Sequence, residues 1–500
     1  MNALPVLTVI LPLALATVAM LFRLRTRAAH ALALTGGILH LGLALALLER
    51  VASDGIQVVQ MGDWPAPFGI SLVADPLGAL MVAITALIGL AAIAYGRHDI
   101  DADQVQRGFY PLLHILLAAI CGAFLTGDLF NLYVWFEVML MTSFGLLVLG
   151  QRREQLDAGV KYVVINLVAT LLFITALGLV YGMTGTLNMA DLHGKLSGAG
   201  NGGLRAAVAM LFLAAFGIKA GVFPLYFWLP AAYHTLPPSV AAVFAGLLTK
   251  VGVYALMRIT TLVFAAEVSV TRPVLLALAV ATMVSGVLGA AAHRDVRRIL
   301  SFHIISQVGY MVLGLALMTP LAVAGAVFYL VHHIIVKANL FFVGGLMRQA
   351  GGSFDLARLG GLYRRQPMLA LLFFIPAFSL AGFPPLSGFW AKMILIRAGL
   401  AAGEILAVVA AIVVGLLTVY SMTKIWAEGF WKEAEPVAGA EEPPRVTLSA
   451  WRLAPVAVLA FLTVAIGLGA EPVYRLAAGA AEILLTPELY VTAVLQGGAP

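Results

Sequence analysis

Charge is what this sequence has least of. Of its 500 residues, 11% are Asp, Glu, Lys or Arg, against 62% hydrophobic, and the mean hydropathy is +1.00. Soluble domains carry about 25% charged residues, so a soluble enzyme is excluded. An enzyme on a single membrane anchor is excluded too, because no polar block of domain size separates the apolar runs. Cysteine is reduced to Cys121, itself in an apolar run, which leaves no disulfide framework and no thiolate metal cage. No cofactor motif occurs. The net charge of +6 would suggest nucleic acid in a soluble protein, but here the basic residues sit in loops between apolar runs and report topology instead.

What remains is a polytopic, all-α membrane protein. A span takes about 20 apolar residues, and such runs place about fourteen helices, at 4–22, 31–49, 76–95, 109–126, 128–149, 161–183, 205–229, 235–259, 273–292, 300–318, 321–347, 368–399, 403–427 and 452–471. The first run lacks a basic leader and a small-residue cleavage site, so it is expected to stay as a helix. Basic loops remain cytoplasmic. If the loop with Arg23, Arg25 and Arg27 is inside, about 19 of the 30 Lys and Arg fall inside and about seven, Arg258 among them, fall opposite. Both termini are then outside. The 50–75 loop, with Asp54, Asp63 and Asp75, reads as an ordered outer cap. The Gly-rich 196–204 and acidic 433–444 stretches read as flexible connections.

Four lysines and one carboxylate stay inside the membrane. Glu137, in "GDLFNLYVWFEVMLMTSFGLL", lies roughly 14 Å into its helix, near the midplane. A charge there costs about 3 kcal/mol or more unless it meets protein, water and a partner. Such acids usually mark ion or proton routes, although a hydrogen-bonded Glu that only stabilises packing is the plain alternative.

Lys219 is the expected partner, since Gly217, Gly221 and Pro224 surround it and Pro224 should break its helix. Non-helical backbone at depth survives only beside a cavity. A buried lysine releases its proton readily and a nearby carboxylate holds it back, so movement between the two would act as a switch. Lys250 lies roughly 18 Å into the eighth helix, too deep to snorkel. His234, between the seventh and eighth helices, has two equal readings, proton relay or turn cap.

His333 and Lys337 are four apart and share a face. His332 diverges from His333 by about 100° and no second acid or Cys is near, so a proton relay is favoured over a metal site. His303, Gln307 and Tyr310 form one polar stripe, as relay or as interhelical glue. Tyr162, Asn166 and Thr170 form a weaker one. Finally "SLAGFPPLSGFWAKM" interrupts the twelfth helix at Gly382, Pro384, Pro385 and Gly388, just before Lys392, and echoes "GVFPLYFW". Paired interruptions point to an internal repeat with sites at the breaks. The fourth helix of 4–8 matches the fourth of 9–13, so the units start five helices apart and the second is inverted. The layout is 1–108 (three helices and the outer loop), 109–260 (first unit), 261–430 (inverted second unit) and 431–500 (cytoplasmic loop, last helix and tail).

These segments, together with "LLTKVGVY", "HRDVRRILSFHIISQVGYM" and "HHIIVKANLFF", resemble the antiporter-like subunits of Mrp-type multisubunit cation/proton antiporters, the D-type branch most closely. That family is similar to the proton-pumping membrane subunits of respiratory complex I. The resemblance spans about 60–430, and the lack of a long lateral helix after the last span favours the antiporter branch. It implies proton translocation through Glu137, Lys219, Lys250, Lys337 and Lys392, in a complex with other membrane subunits that exchanges Na⁺ for protons across a bacterial plasma membrane. Glu137 and Lys219 would be the switch, Lys250 and Lys337 the central axis, and Lys392 the link to water or to a neighbouring subunit. No resident metal or cofactor is implied.

Overall fold

The computed structural model describes residues 3–198, 202–433 and 448–496. Helices α1 (Leu4–Phe22) and α2 (Thr26–Asp54) form a hairpin, and β1 (Gln57–Gln60) pairs antiparallel with β2 (Ser71–Ala74), which gives the 50–75 segment its order. Asp75 caps α3 (Pro76–Gly96) by accepting from Gly78 N at 2.8 Å, satisfying an amide that the helix start leaves free. There follow α4 (Ala102–Gln106), α5 (Phe109–Leu125), α6 (Leu129–Val148), α7 (Arg153–Thr184), α8 (Met189–Gly198), α9 (Gly202–Ala220) and α10 (Trp228–Tyr233). Helices α11 (Pro238–Val243) and α12 (Thr249–Arg258) belong to one span, Pro238–Val263, with π-helical turns at Phe244–Leu248 and Ile259–Val263.

The second unit holds α13 (Val268–Ala292), α14 (Val296–Leu317), α15 (Pro320–Gly351), α16 (Leu362–Arg365), α17 (Pro367–Ala381), α18 (Ser387–Ala401) and α19 (Ile405–Ile425). Then come α20 (Ala450–Leu468), α21 (Glu471–Leu485) and α22 (Pro487–Gln496). Among the described residues, 12 helices are long and apolar enough to cross a membrane, and 13 if α21 and α22, bent by 77°, count together. The chain is thus an all-α, multi-pass membrane protein. Each expected span has its helix, but α5 has only 17 residues and the 368–399 run is two helices of 15 residues each.

Two expectations change, and the tail after the last span takes a definite form. The Gly-rich 196–204 stretch is helical up to Gly198 and again from Gly202; residues 199–201, like 434–444 of the acidic run, lie outside the described part. The C-terminal tail is folded: α21 buries Ala477, Ala480, Ala481 and Leu484, one face at helical spacing, and Gln60 Nε2 donates to Val494 O on α22 at 3.3 Å. Arg258, expected among the loop residues, ends α12 in the interior. Its Nη2 donates to Asp75 Oδ2 at 2.5 Å and its Nε to Tyr254 Oη at 3.1 Å, while the Tyr490 ring of α22 lies 5.3 Å away. A buried arginine is stable only when its donors are matched in this way, and the match ties α3, α12 and α22 together.

Burial ranks the spans. Pro238–Val263 is 100% buried over its most apolar window and α14 and α15 are 94% buried, whereas α7 and α13 are 39% buried. The central helices approach closely because small residues face them: a Cβ on Gly252 of α12 would stand 2.5 Å from Ala220 N, the end of α9. Lys250 and Lys337 lie on these innermost helices, walled off by protein on every side.

Candidate functional site: an acid and a buried lysine row between two helix breaks

The first break runs from Gly221 to Phe227. Gly221 takes φ +76°, a left-handed backbone that ends α9, and Pro224 has no N–H to continue a helix. Protein satisfies what the break frees. Thr282 Oγ1 of α13 accepts from Phe223 N at 2.9 Å, and the Trp228 indole donates to Ile218 O at 3.1 Å. Lys219 therefore keeps its ammonium free of the helix end. It faces a cavity of about 10 Å³ lined by Phe136, Tyr162, Asn166 and Trp228 among others, room for about one water. Its Nζ lies 5.6 Å from the Phe136 ring centroid.

Glu137 does not form the expected ion pair. Among the described residues no contact within 4.0 Å joins it to Lys219, although Glu137 is the charged group that Lys219 faces. Its Oε1 accepts from Thr170 Oγ1 of α7 at 2.6 Å instead. Tyr162 meets Ser143 at 2.7 Å, and Asn166 Nδ2 donates to Tyr162 O at 2.8 Å.

At the second break Gly382 takes φ +100° and Pro384 and Pro385 follow. A Cβ on Gly388 would stand 1.8 Å from Ser379 O, so only glycine lets α18 start against α17. Lys392 donates to Ala381 O, the end of α17, at 2.9 Å, and its Nζ is 5.3 Å from the Tyr310 ring. A cation on a C-terminal carbonyl is favoured by the helix dipole. Tyr310 Oη donates to Ala411 O at 2.5 Å. His332, set aside on sequence because it points away from Lys337, reaches this break: its Nδ1 is 2.8 Å from Ser387 Oγ.

Between the breaks lies the central row. Lys250 donates to Ala245 O at 2.5 Å, a carbonyl in the Phe244–Leu248 π turn, where the altered register frees an acceptor. Lys337, His303 and His333 are fully buried and their side-chain nitrogens have no partner among the described residues. Lys250 is the charged neighbour of Lys337, and His333 faces both. Like charges in so dry a place cannot all persist, since burying an unpaired ammonium costs far more than the fold can spare. Protons must be few and shared among these groups. His303 and Gln307 separate: Gln307 Nε2 donates to Ser306 Oγ at 2.8 Å, and Tyr329 donates to its Oε1.

His234 lies in the turn after α10. Its Nδ1 is 2.8 Å from Pro230 O, and Arg298 Nη2 is 3.4 Å from its Nε2. A carbonyl requires a donor and a guanidinium an acceptor, so both contacts select the neutral Nδ1–H tautomer. Burial, foremost, holds His234 below the usual histidine range, and the Pro230 carbonyl pulls the other way.

A mid-membrane carboxylate, four buried lysines and two helix breaks whose prolines reach the protein surface are the equipment of a membrane transport subunit. The NADH:quinone oxidoreductase/Mrp antiporter, TM family matches residues 126–418, and the chain belongs to that family. It is 44% identical to the D subunit of the Na(+)/H(+) antiporter of Alkalihalophilus pseudofirmus, over 99% of this chain and 100% of that one. A chain in the structure of the Mrp complex from Dietzia sp. DQ12-45-1b superposes with a TM-score of 0.91 at 35% identity, covering 99% of this chain and 100% of that one. A chain of respiratory complex I from Thermus thermophilus shares the fold, with a TM-score of 0.81 at 24% identity over 96% of this chain and 99% of that one.

Proposed function

We propose that this chain is the proton-translocating subunit of a multisubunit Na⁺/H⁺ antiporter, driven by the proton motive force. Glu137 and Lys219 exchange a proton at the first break, Lys250 and Lys337 pass it along the axis, and Lys392 delivers it to water or to a neighbouring subunit. His303, His333 and Tyr310 stand beside that route, and His234 stands at its mouth. The observation that carries the reading is the state of Lys219: buried, facing Glu137, beside a water-sized cavity and released from the helix end by Trp228. Sodium needs several oxygens and the interior offers nitrogen instead, so this chain is a proton path and Na⁺ crosses elsewhere in the complex.

The units 109–260 and 261–430 act as the two half-channels, after an N-terminal 1–108 block and before 431–500. The excess of Lys and Arg in one set of loops supports an orientation with both termini outside, and the similarity to bacterial antiporter subunits supports a bacterial plasma membrane. Glu137→Gln in everted vesicles should abolish sodium-driven proton movement while the complex still assembles. Exchange at the wild-type rate would refute the reading. A complex I-type role is the second reading, supported by the shared fold; co-purification with quinone-reducing subunits would select it.

A further inference from the structure

Most threonines in these helices share one habit. Thr142, Thr175, Thr184, Thr260, Thr418 and Thr463 each donate to the carbonyl four residues back, at 2.7 or 2.8 Å. This is the ordinary way for a hydroxyl to be satisfied in a membrane helix. Thr170 departs from it, giving its proton to Glu137 Oε1 at 2.6 Å. A hydroxyl has one proton to give, so it cannot bond to the Asn166 carbonyl at the same time.

A hydroxyl-to-Oε1 bond between neighbouring helices recurs in the second unit. Tyr329 on α15 donates to Oε1 of Gln307 on α14, and Gln is the neutral counterpart of Glu in shape. In each unit a hydroxyl on the third helix holds the Oε1 of a side chain on the second. Lys219, meanwhile, makes no ion pair with Glu137 within 4.0 Å among the described residues and lies 5.6 Å from the Phe136 ring.

The geometry points to Thr170 as a positioning residue that holds the Glu137 carboxylate on α7, out of its ion pair with Lys219. This rests on the proton-translocation reading of Glu137. When the pair forms, Thr170 turns back to the Asn166 carbonyl, so neither arrangement strands the hydroxyl, and the ammonium left unpaired in the observed one faces a cavity with room for about one water. Without the hydroxyl the carboxylate loses the hydrogen bond it accepts among the described residues, and the pair with Lys219 is favoured by comparison. Glu137 is half-buried and Lys219 buried, so a carboxylate fixed against that ammonium gives up its charge reluctantly, because separation would strand the lysine.

The test compares wild type, Thr170→Val, Thr170→Ser and Glu137→Gln in everted vesicles holding the whole complex, with rates scaled to assembled complex. Thr170→Val should lower the maximal exchange rate about tenfold with the half-saturating Na⁺ concentration unchanged, and Thr170→Ser should stay within about twofold. In infrared difference spectra, the band of the protonated Glu137 carboxyl, identified by its loss in Glu137→Gln, should move to higher frequency in Thr170→Val and hold in Thr170→Ser. If Thr170→Val changes neither rate nor band while Glu137→Gln abolishes exchange, the inference falls and the reading of Glu137 stands. Thr170→Ser as slow as Thr170→Val also overturns it. Exchange that persists in Glu137→Gln overturns the reading itself. Should Thr170→Val fail to assemble, Thr170→Ala is scored by the same outcomes.

Discussion

The two helix breaks carry nearly the same residues and use them differently. Each has a glycine with positive φ, a proline and then a tryptophan. In the first, the tryptophan caps the broken helix: Trp228 donates to Ile218 O, and Lys219 is left over a small cavity. In the second, the lysine does the capping: Lys392 donates to Ala381 O, while the Trp390 indole goes to Gly467 O on α20 at 2.8 Å. Lys219 precedes its break and Lys392 follows its own. A break frees carbonyls that must be satisfied inside a membrane, and which side chain answers decides whether the nearby lysine is free to meet an acid. Only the first unit has a deep acid for it to meet.

The comparison can be broken at several points. The widest separation is expected between two ion pairs. Arg258–Asp75 is 4% and 0% exposed, whereas Arg272–Glu404 is 42% and 30% exposed. Arg258→Ala strands a buried carboxylate and should cost about 3–5 kcal/mol of stability, while Arg272→Ala should cost under about 1 kcal/mol. Thermal melting of the solubilised complex separates them; equal shifts would show that the first pair is wetter than it looks. Next come the lysines at the breaks. Lys219→Ala should slow exchange at least about 100-fold at an unchanged melting temperature. Lys392→Ala should also strip a cap and lower stability by about 1–3 kcal/mol. A Lys219→Ala complex that melts as low as Lys392→Ala would mean both lysines are architectural. The smallest effect is expected from Gln307→Glu, which gives the second unit the carboxylate it lacks and should slow exchange about tenfold by pinning protons near His303. An unchanged rate would place Gln307 off the proton route.

Much of this was legible residue by residue. Glu137 and the four lysines stood out because charge is scarce and costly in apolar helices, and Gly221, Pro224, Pro384 and Pro385 because no helix runs through them unbroken. Thr170 and Tyr329 were not legible as partners, since a hydroxyl in a membrane helix is normally satisfied by its own backbone. His332 was dismissed by helical angle, which predicts divergence from His333 but not what the other face meets. Arg258 looked like a loop cation because nothing local distinguishes it from one; its partner Asp75 is far back in the chain.

The sequence by itself determined that the chain spans a membrane many times, that charge enters the interior at a few positions and that two helices must break. These follow from transfer energies and backbone chemistry, which act locally. Only the tertiary structure decided which groups meet: Thr170 on Glu137, Trp228 on the end of α9, Lys392 on the end of α17, and α22 over Arg258. A side chain's hydrogen-bond partner is set by where distant helices pack, and that packing rests on close approaches such as Gly252 against Ala220 rather than on any local pattern.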